Sequence, residues 1–157
     1  MAFRPRKLSF IFLQAIAQRV SSAKVSIDSK IHSSINKGIL VYVCFENNDT
    51  EETIEKFISK IINFSFFKGD SSIMSASLKE INGQLMIISQ FTLSAVTDKG
   101  NKPSFHKAAS TEKANELYDL LIKRLNESPI QFKSGVFGSD MDIYSVNTGP
   151  VTFSFKI

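Results

Sequence analysis

Between Lys37 and Glu46 the chain reads "KGILVYVCFE", with seven consecutive apolar residues from Ile39 to Phe45. Such a run reads as a strand, and its near-continuous apolarity implies deeper burial than a strand that alternates. "LQAIAQRV", "AKVSID" and "GQLMIISQFTLSA" read as further strands, the last opened by the Asn82-Gly83 turn signal. Helical spacing occurs twice. In "DTEETIEKFISKIINF" Asp49 is placed to cap with Glu52 three positions on, and Ile54, Phe57, Ile58, Ile61 and Ile62 form one apolar stripe. Over about "STEKANELYDLLIKRLNES" Ser110 is the expected cap, the stripe is Ala114, Leu117, Leu121 and Leu125, and Pro129 lies just past the end. The rest is strand material broken at Gly135, Gly138 and Gly149. Two helices among six or seven strands, with no regular strand-helix alternation, predict an α+β domain with mostly antiparallel sheet.

The chain has 157 residues without repeats or linker-like tracts, which argues for a single domain, and no apolar run approaches the roughly 20 residues of a membrane span. Its net charge of +4 is concentrated at one end. Residues 1–27 hold five basic and no acidic side chains, and the remaining 130 hold 14 basic and 15 acidic ones. Charge therefore supports at most local phosphate contacts, and any RNA-binding reading must come from particular residues. Cys44, the one cysteine, reads as a buried structural thiol, and His32 and His106 have no partner at metal-ligand spacing. No metal or cofactor is expected.

No GxSxG, GxxxxGK[ST], GxGxxG or HExxH signature is present. Asp140 and Asp142 of "SDMD" share a face in an extended segment, and read as a solvated turn more readily than as an acid/base pair. Two stretches stand out. If the strand continues through "SQFTL", Ser89, Phe91 and Leu93 face one way while Gln90 and Thr92 share the other face with Ile88. Polarity on both faces of a buried strand marks either a strand end or a site, because each unpaired polar group costs about 1–3 kcal/mol. The second stretch is "SVNTGPVTFSF", strand-like on both sides of Gly149-Pro150 although proline cannot donate a ladder hydrogen bond.

"SQFTL" and "NTGPVT" resemble the paired signature motifs of the D-aminoacyl-tRNA deacylases, and "QRVSSAKV", "KGILVYV", "DKGNKPSF" and "GVFGSDM" fall in the family's order around them. The resemblance covers residues 13–157, which form the expected deacylase domain; residues 1–12 form an N-terminal extension without a family counterpart. It implies a barrel-like α+β fold and a homodimer that hydrolyses the ester between a D-amino acid, or glycine, and the 3′-terminal ribose of tRNA. Ser89, Gln90, Phe91 and Thr92 would surround the scissile ester. Gly149 and Pro150 would form a dipeptide with a cis bond, reaching from one subunit into the other's active site, with Arg19 as a brace. Met141 matches a position lining the family's site, although a plain core role is equally open. Lys99 and Lys102 of "DKGNKPSF" would contact tRNA phosphate or simply be solvated.

Two departures stand beside the resemblance. Thr148 occupies a position where an acidic residue or alanine is frequent in the family. The basic, acid-free start resembles a transit peptide in part, and Leu13 falls where most members begin. A cytoplasmic location is expected, with an organellar one open if the extension is a leader. The rival functions are a sibling deacylase with the Gly-Pro bond in trans, acting on small L-amino acids, and a non-catalytic tRNA-binding dimer.

Overall fold

A computed structural model describes residues 12–157. The expectations for an N-terminal extension therefore lie almost wholly outside the described residues. The elements follow the order β1 (Gln14–Ile27), β2 (Lys30–Ile35), β3 (Gly38–Cys44), α1 (Glu51–Asn63), β4 (Gln84–Ser89), α2 (Thr111–Asn126), β5 (Gln131–Ser134) and β6 (Asp142–Lys156). The two strands expected near the start are one 14-residue strand, and β2, whose sequence KIHSSI contains a single buried residue, Ile35, carries too little apolar pattern to announce itself.

The strands form a nearly closed, barrel-like mixed sheet in the order β2-β1-β3-β4-β5, with β6 paired to β1. β1 runs antiparallel to β2, β3 and β6, whereas β3-β4 and β4-β5 are parallel, each crossover being made by a helix. Ser33 Oγ on β2 donates to the Ser134 carbonyl on β5 at 3.1 Å, linking the two ends of the strand path.

The long apolar run of β3 is explained by cores on both of its faces. Ile39, Val41 and Val43 pack with Leu85 and Ile87 of β4 beneath α1 and α2, while Leu40 packs with Met86, Ile88, Val20 and Val25 on the other side. The helices pack together, and Arg124 of α2 forms ion pairs with Glu51 and Glu55 of α1. Ser110 caps α2 by accepting from Lys113 N–H, as its sequence implies. At α1 the cap is Thr50, whose N–H donates to Thr53 Oγ1 at 3.0 Å. Asp49 is committed elsewhere: its carboxylate accepts from Leu13 N–H at 2.8 Å and Glu46 N–H at 2.7 Å, tying the residue just before β1 to the β3-α1 connection. Among the described residues no helix is long and apolar enough to cross a membrane.

Candidate active site

β4 stops at Ser89 because its partner does. Val43↔Ser89 is the last parallel pair, and Gln90 N–H still reaches the Val43 carbonyl at 2.8 Å before the chain turns. Phe91–Ser94 then form a single 3-10 turn, so the continued strand expected through "SQFTL", with its alternation of faces, is not formed. The side chains are redistributed accordingly. Gln90 Nε2 folds back to Thr92 Oγ1 at 2.5 Å. Phe91 swings outward, 59% exposed, and its ring packs tilted against Phe105 with centroids 5.1 Å apart.

The Phe91 carbonyl faces the interior, where it accepts from Ser94 Oγ at 2.9 Å and from Cys44 Sγ at 3.4 Å. Burial pushes the Cys44 thiol pKa up, which keeps it a donor at neutral pH. A peptide unit is planar, with its carbonyl and the following N–H opposed, so holding the Phe91 oxygen inward turns Thr92 N–H away from Cys44 and Ser94. The N–H groups of Phe91 and Thr92 lead the turn and have no acceptor within it.

A cavity of about 760 Å³ opens beside this turn, walled by Ser89, Gln90 and Phe91 on one side and by Phe105, Phe137 and Met141 on others. Of the residues expected around an ester, Ser89, Gln90 and Phe91 reach the wall, as does Met141, while Thr92 lies on the turn with its exposed side chain outside the lining. Lys99 and Lys102 lie on an exposed loop closed by the Val96↔Ser104 bridge, off the cavity wall. Asp140 lines the cavity without Asp142, so the two carboxylates do not form a pair there. No three His, Cys, Asp or Glu side chains converge on a metal position among the described residues.

Sequence reasoning missed the far wall. Phe105, Phe137 and the start of α2 at Ser110 come from segments 16 or more residues beyond Ser89, and only the fold brings them together. Phe105 was legible only as the end of "DKGNKPSF".

Gly149 and Pro150 are elsewhere in the chain's own fold. In the β1-β6 ladder Gln18 pairs with Thr152 and Val20 with Asn147, so residues 148–151 leave the sheet opposite the single residue Arg19. The excursion is pinched at its base: Asn147 Oδ1 accepts from Val151 N–H and Asn147 Nδ2 donates to Thr152 Oγ1, both at 3.1 Å. Arg19 Nε donates to the Thr148 carbonyl at 3.0 Å, and its Nη1 to the Phe66 carbonyl at 3.1 Å. Gly149 has φ +129°, and an added Cβ would sit 2.7 Å from Arg19 Nη2, so the position favours glycine twice over. The Gly149-Pro150 bond is cis, and both residues are exposed. Thr148 Oγ1 bonds only locally, to the Val146 carbonyl at 3.4 Å. Arg19 and Thr148 line a separate cavity of about 280 Å³, and neither they nor Gly149 and Pro150 touch the larger one.

Residues 16–156 match the family model described as D-Tyr-tRNA(Tyr) deacylase. A D-aminoacyl-tRNA deacylase of Flavobacterium psychrophilum is 44% identical over 141 residues, 89% of this chain and 94% of its own. One from Aquifex aeolicus is 39% identical over 140 residues, covering 89% and 95%. Among solved structures, the c-Myc DNA Unwinding Element Binding Protein superposes with a TM-score of 0.85 at 34% identity, over 90% of this chain and 97% of that one. A probable eukaryotic D-amino acid tRNA deacylase shares the fold at a TM-score of 0.78 and 18% identity, over 94% and 100%.

Proposed function

The chain belongs to the D-Tyr-tRNA(Tyr) deacylase family and is a hydrolase acting on the ester of D-aminoacyl-tRNA, and from that premise we propose that its working site is built by two copies of the chain. The observation that carries this reading is the separation of the two motifs. The cavity beside Ser89–Phe91 is open, and the exposed 148–150 excursion, braced from behind by Arg19, lies outside it. A second copy related by a two-fold axis brings each excursion to the other's cavity. β6 supports such an arrangement, since its outer edge has no strand partner among the described residues and it exposes Tyr144 and Val146 at 52% and 56%.

In the completed site the carbonyls of the excursion stand beside the substrate's α-carbon. They accept its amino group and leave no volume for an L side chain, a rejection worth several kcal/mol. Phe91 and Thr92 N–H groups receive the developing oxyanion, which needs fixed donors rather than a particular side chain. The attacking nucleophile is water assisted by the adjacent ribose 2′-hydroxyl, since no histidine lines the cavity among the described residues to activate Thr92. The reaction belongs wherever tRNA is charged, which is the cytoplasm or, if residues 1–12 act as a leader, an organelle.

Exclusion of an L side chain cannot exclude glycine, so glycyl-tRNA is hydrolysed too. Incubating D-Tyr-tRNA, Gly-tRNA and L-Ala-tRNA with nanomolar protein tests the reading. Turnover of the first two alone is expected; turnover of L-Ala-tRNA points to the sibling chemistry, and turnover of none to a tRNA-binding dimer.

A further inference from the structure

The smaller cavity, about 280 Å³, has Arg19, Lys37 and Lys68 in its wall together with Thr148, and none of its lining residues is acidic. Three cations converging from β1, the turn before β3 and the segment after α1 have no partner in sequence that would group them. Arg19 is fixed there by its two carbonyl bonds, which leave Nη2 uncommitted by either. Lys37 is held over the Phe67 ring, 5.9 Å from its centroid, and both lysines are exposed to a ligand from solvent. We infer that this cavity is a phosphate subsite, taking a backbone phosphate of the tRNA whose 3′ end occupies the partner's active-site cavity. The inference rests on the reading that the 148–150 excursion enters the partner, because Thr148 belongs both to that excursion and to the cavity wall. Cations at the excursion's base then face the RNA that the excursion helps to select.

The test pairs two substrates. D-Tyr-tRNA carries phosphates, and 3′-O-D-tyrosyl-adenosine carries the same ester without any. In the Lys37→Glu/Lys68→Glu variant, KM for D-Tyr-tRNA should rise about tenfold at low salt, and the slope of log(kcat/KM) against log salt should become shallower by about 0.8, the expectation for one lost phosphate contact. kcat on tRNA and kcat/KM on the adenosine ester should match those of the parent protein. Lys37→Gln/Lys68→Gln should shift KM in the same direction and by less, and Lys123→Glu, on the exposed face of α2, should leave the tRNA slope in place. An unchanged KM and slope overturns the subsite, and so does an equal loss on both substrates, which would mean that the lysines act on the excursion itself. Gly149→Ala run alongside reports on the underlying reading: unaltered D/L discrimination in that variant contradicts the two-subunit filter whatever the lysines do.

Discussion

Arg19 Nε donates to the carbonyl oxygen of Thr148 at 3.0 Å, so the residue that opens the Gly149-Pro150 excursion is held by the residue of β1 that the excursion leaves without a β6 partner. The gap in the ladder and its brace are one feature. The same guanidinium reaches Phe66, which makes the excursion part of a rigid unit with the segment after α1.

Arg19→Ala should cost about 1–2 kcal/mol of stability, the scale of a pair of partly solvated hydrogen bonds. Its larger effect should be on selectivity. kcat/KM for D-Tyr-tRNA is expected to fall about a hundredfold, and the ratio of D-Tyr-tRNA to L-Tyr-tRNA hydrolysis to fall with it. Arg19→Lys keeps the charge and loses the fork, so it should sit between. Urea denaturation and deacylation of the two diastereomeric substrates measure both quantities.

Thr92→Ala should retain activity within about threefold, because the proposed work at this position is done by the backbone. A D-Tyr-tRNA whose terminal ribose lacks the 2′-hydroxyl should lose most of its turnover. The opposite pair of results, an inactive Thr92→Ala and a fully active deoxy substrate, would make Thr92 the nucleophile.

Cys44 and Ser94 are expected to act as positioning residues through the Phe91 carbonyl that both contact. Removing both donors in Cys44→Ala/Ser94→Ala frees that peptide plane and the Thr92 N–H it carries. Single-turnover rates should fall about tenfold while KM stays unchanged, the pattern of an interaction felt mainly in the transition state. Cys44→Ser on the Ser94→Ala background keeps one donor and should recover much of the rate.

Tyr118 gives a pH signature for the fold. Its hydroxyl donates to the Gly135 carbonyl at 3.0 Å, and burial pushes its pKa up to about 12. An unfolded tyrosine ionises near about 10, so this contribution is intact below about pH 10 and lost as pH rises toward 12, by about 1.4 kcal/mol per unit. Urea midpoints at pH 9 and pH 11.5 should differ by a larger amount in the parent protein than in Tyr118→Phe, which has no proton to lose.

What could be read before folding, and what could not, follows the range of the interactions. β3 and both helices were legible because apolar spacing is local, and the apolar run Ile39–Phe45 reflected cores on both sides of one strand. The α1 cap was misread because Asp49 answers to Leu13, 36 positions away, rather than to its own helix. Phe91, Thr92 and Leu93 have good strand propensity, yet the end of β3 left them no ladder to join. The two motifs could be named from the sequence. Their separation onto different cavities of one chain, and the three cations beneath the excursion, arise only from long-range packing.

The two-subunit site is tested most directly by mixing subunits. Phe91→Pro removes one of the two proposed oxyanion donors at the first position of its turn, where proline is tolerated because that N–H has no acceptor within the turn. Gly149→Ala disables the excursion instead, through its φ of +129° and the contact with Arg19. Each homodimer should be nearly inactive on D-Tyr-tRNA. After the two are unfolded together and refolded as a mixture, heterodimers hold one site in which an intact cavity meets an intact excursion, and roughly a quarter of the parent activity should return by random two-fold pairing. A mixture no more active than its two components would place both motifs of a working site in the same chain and contradict the account.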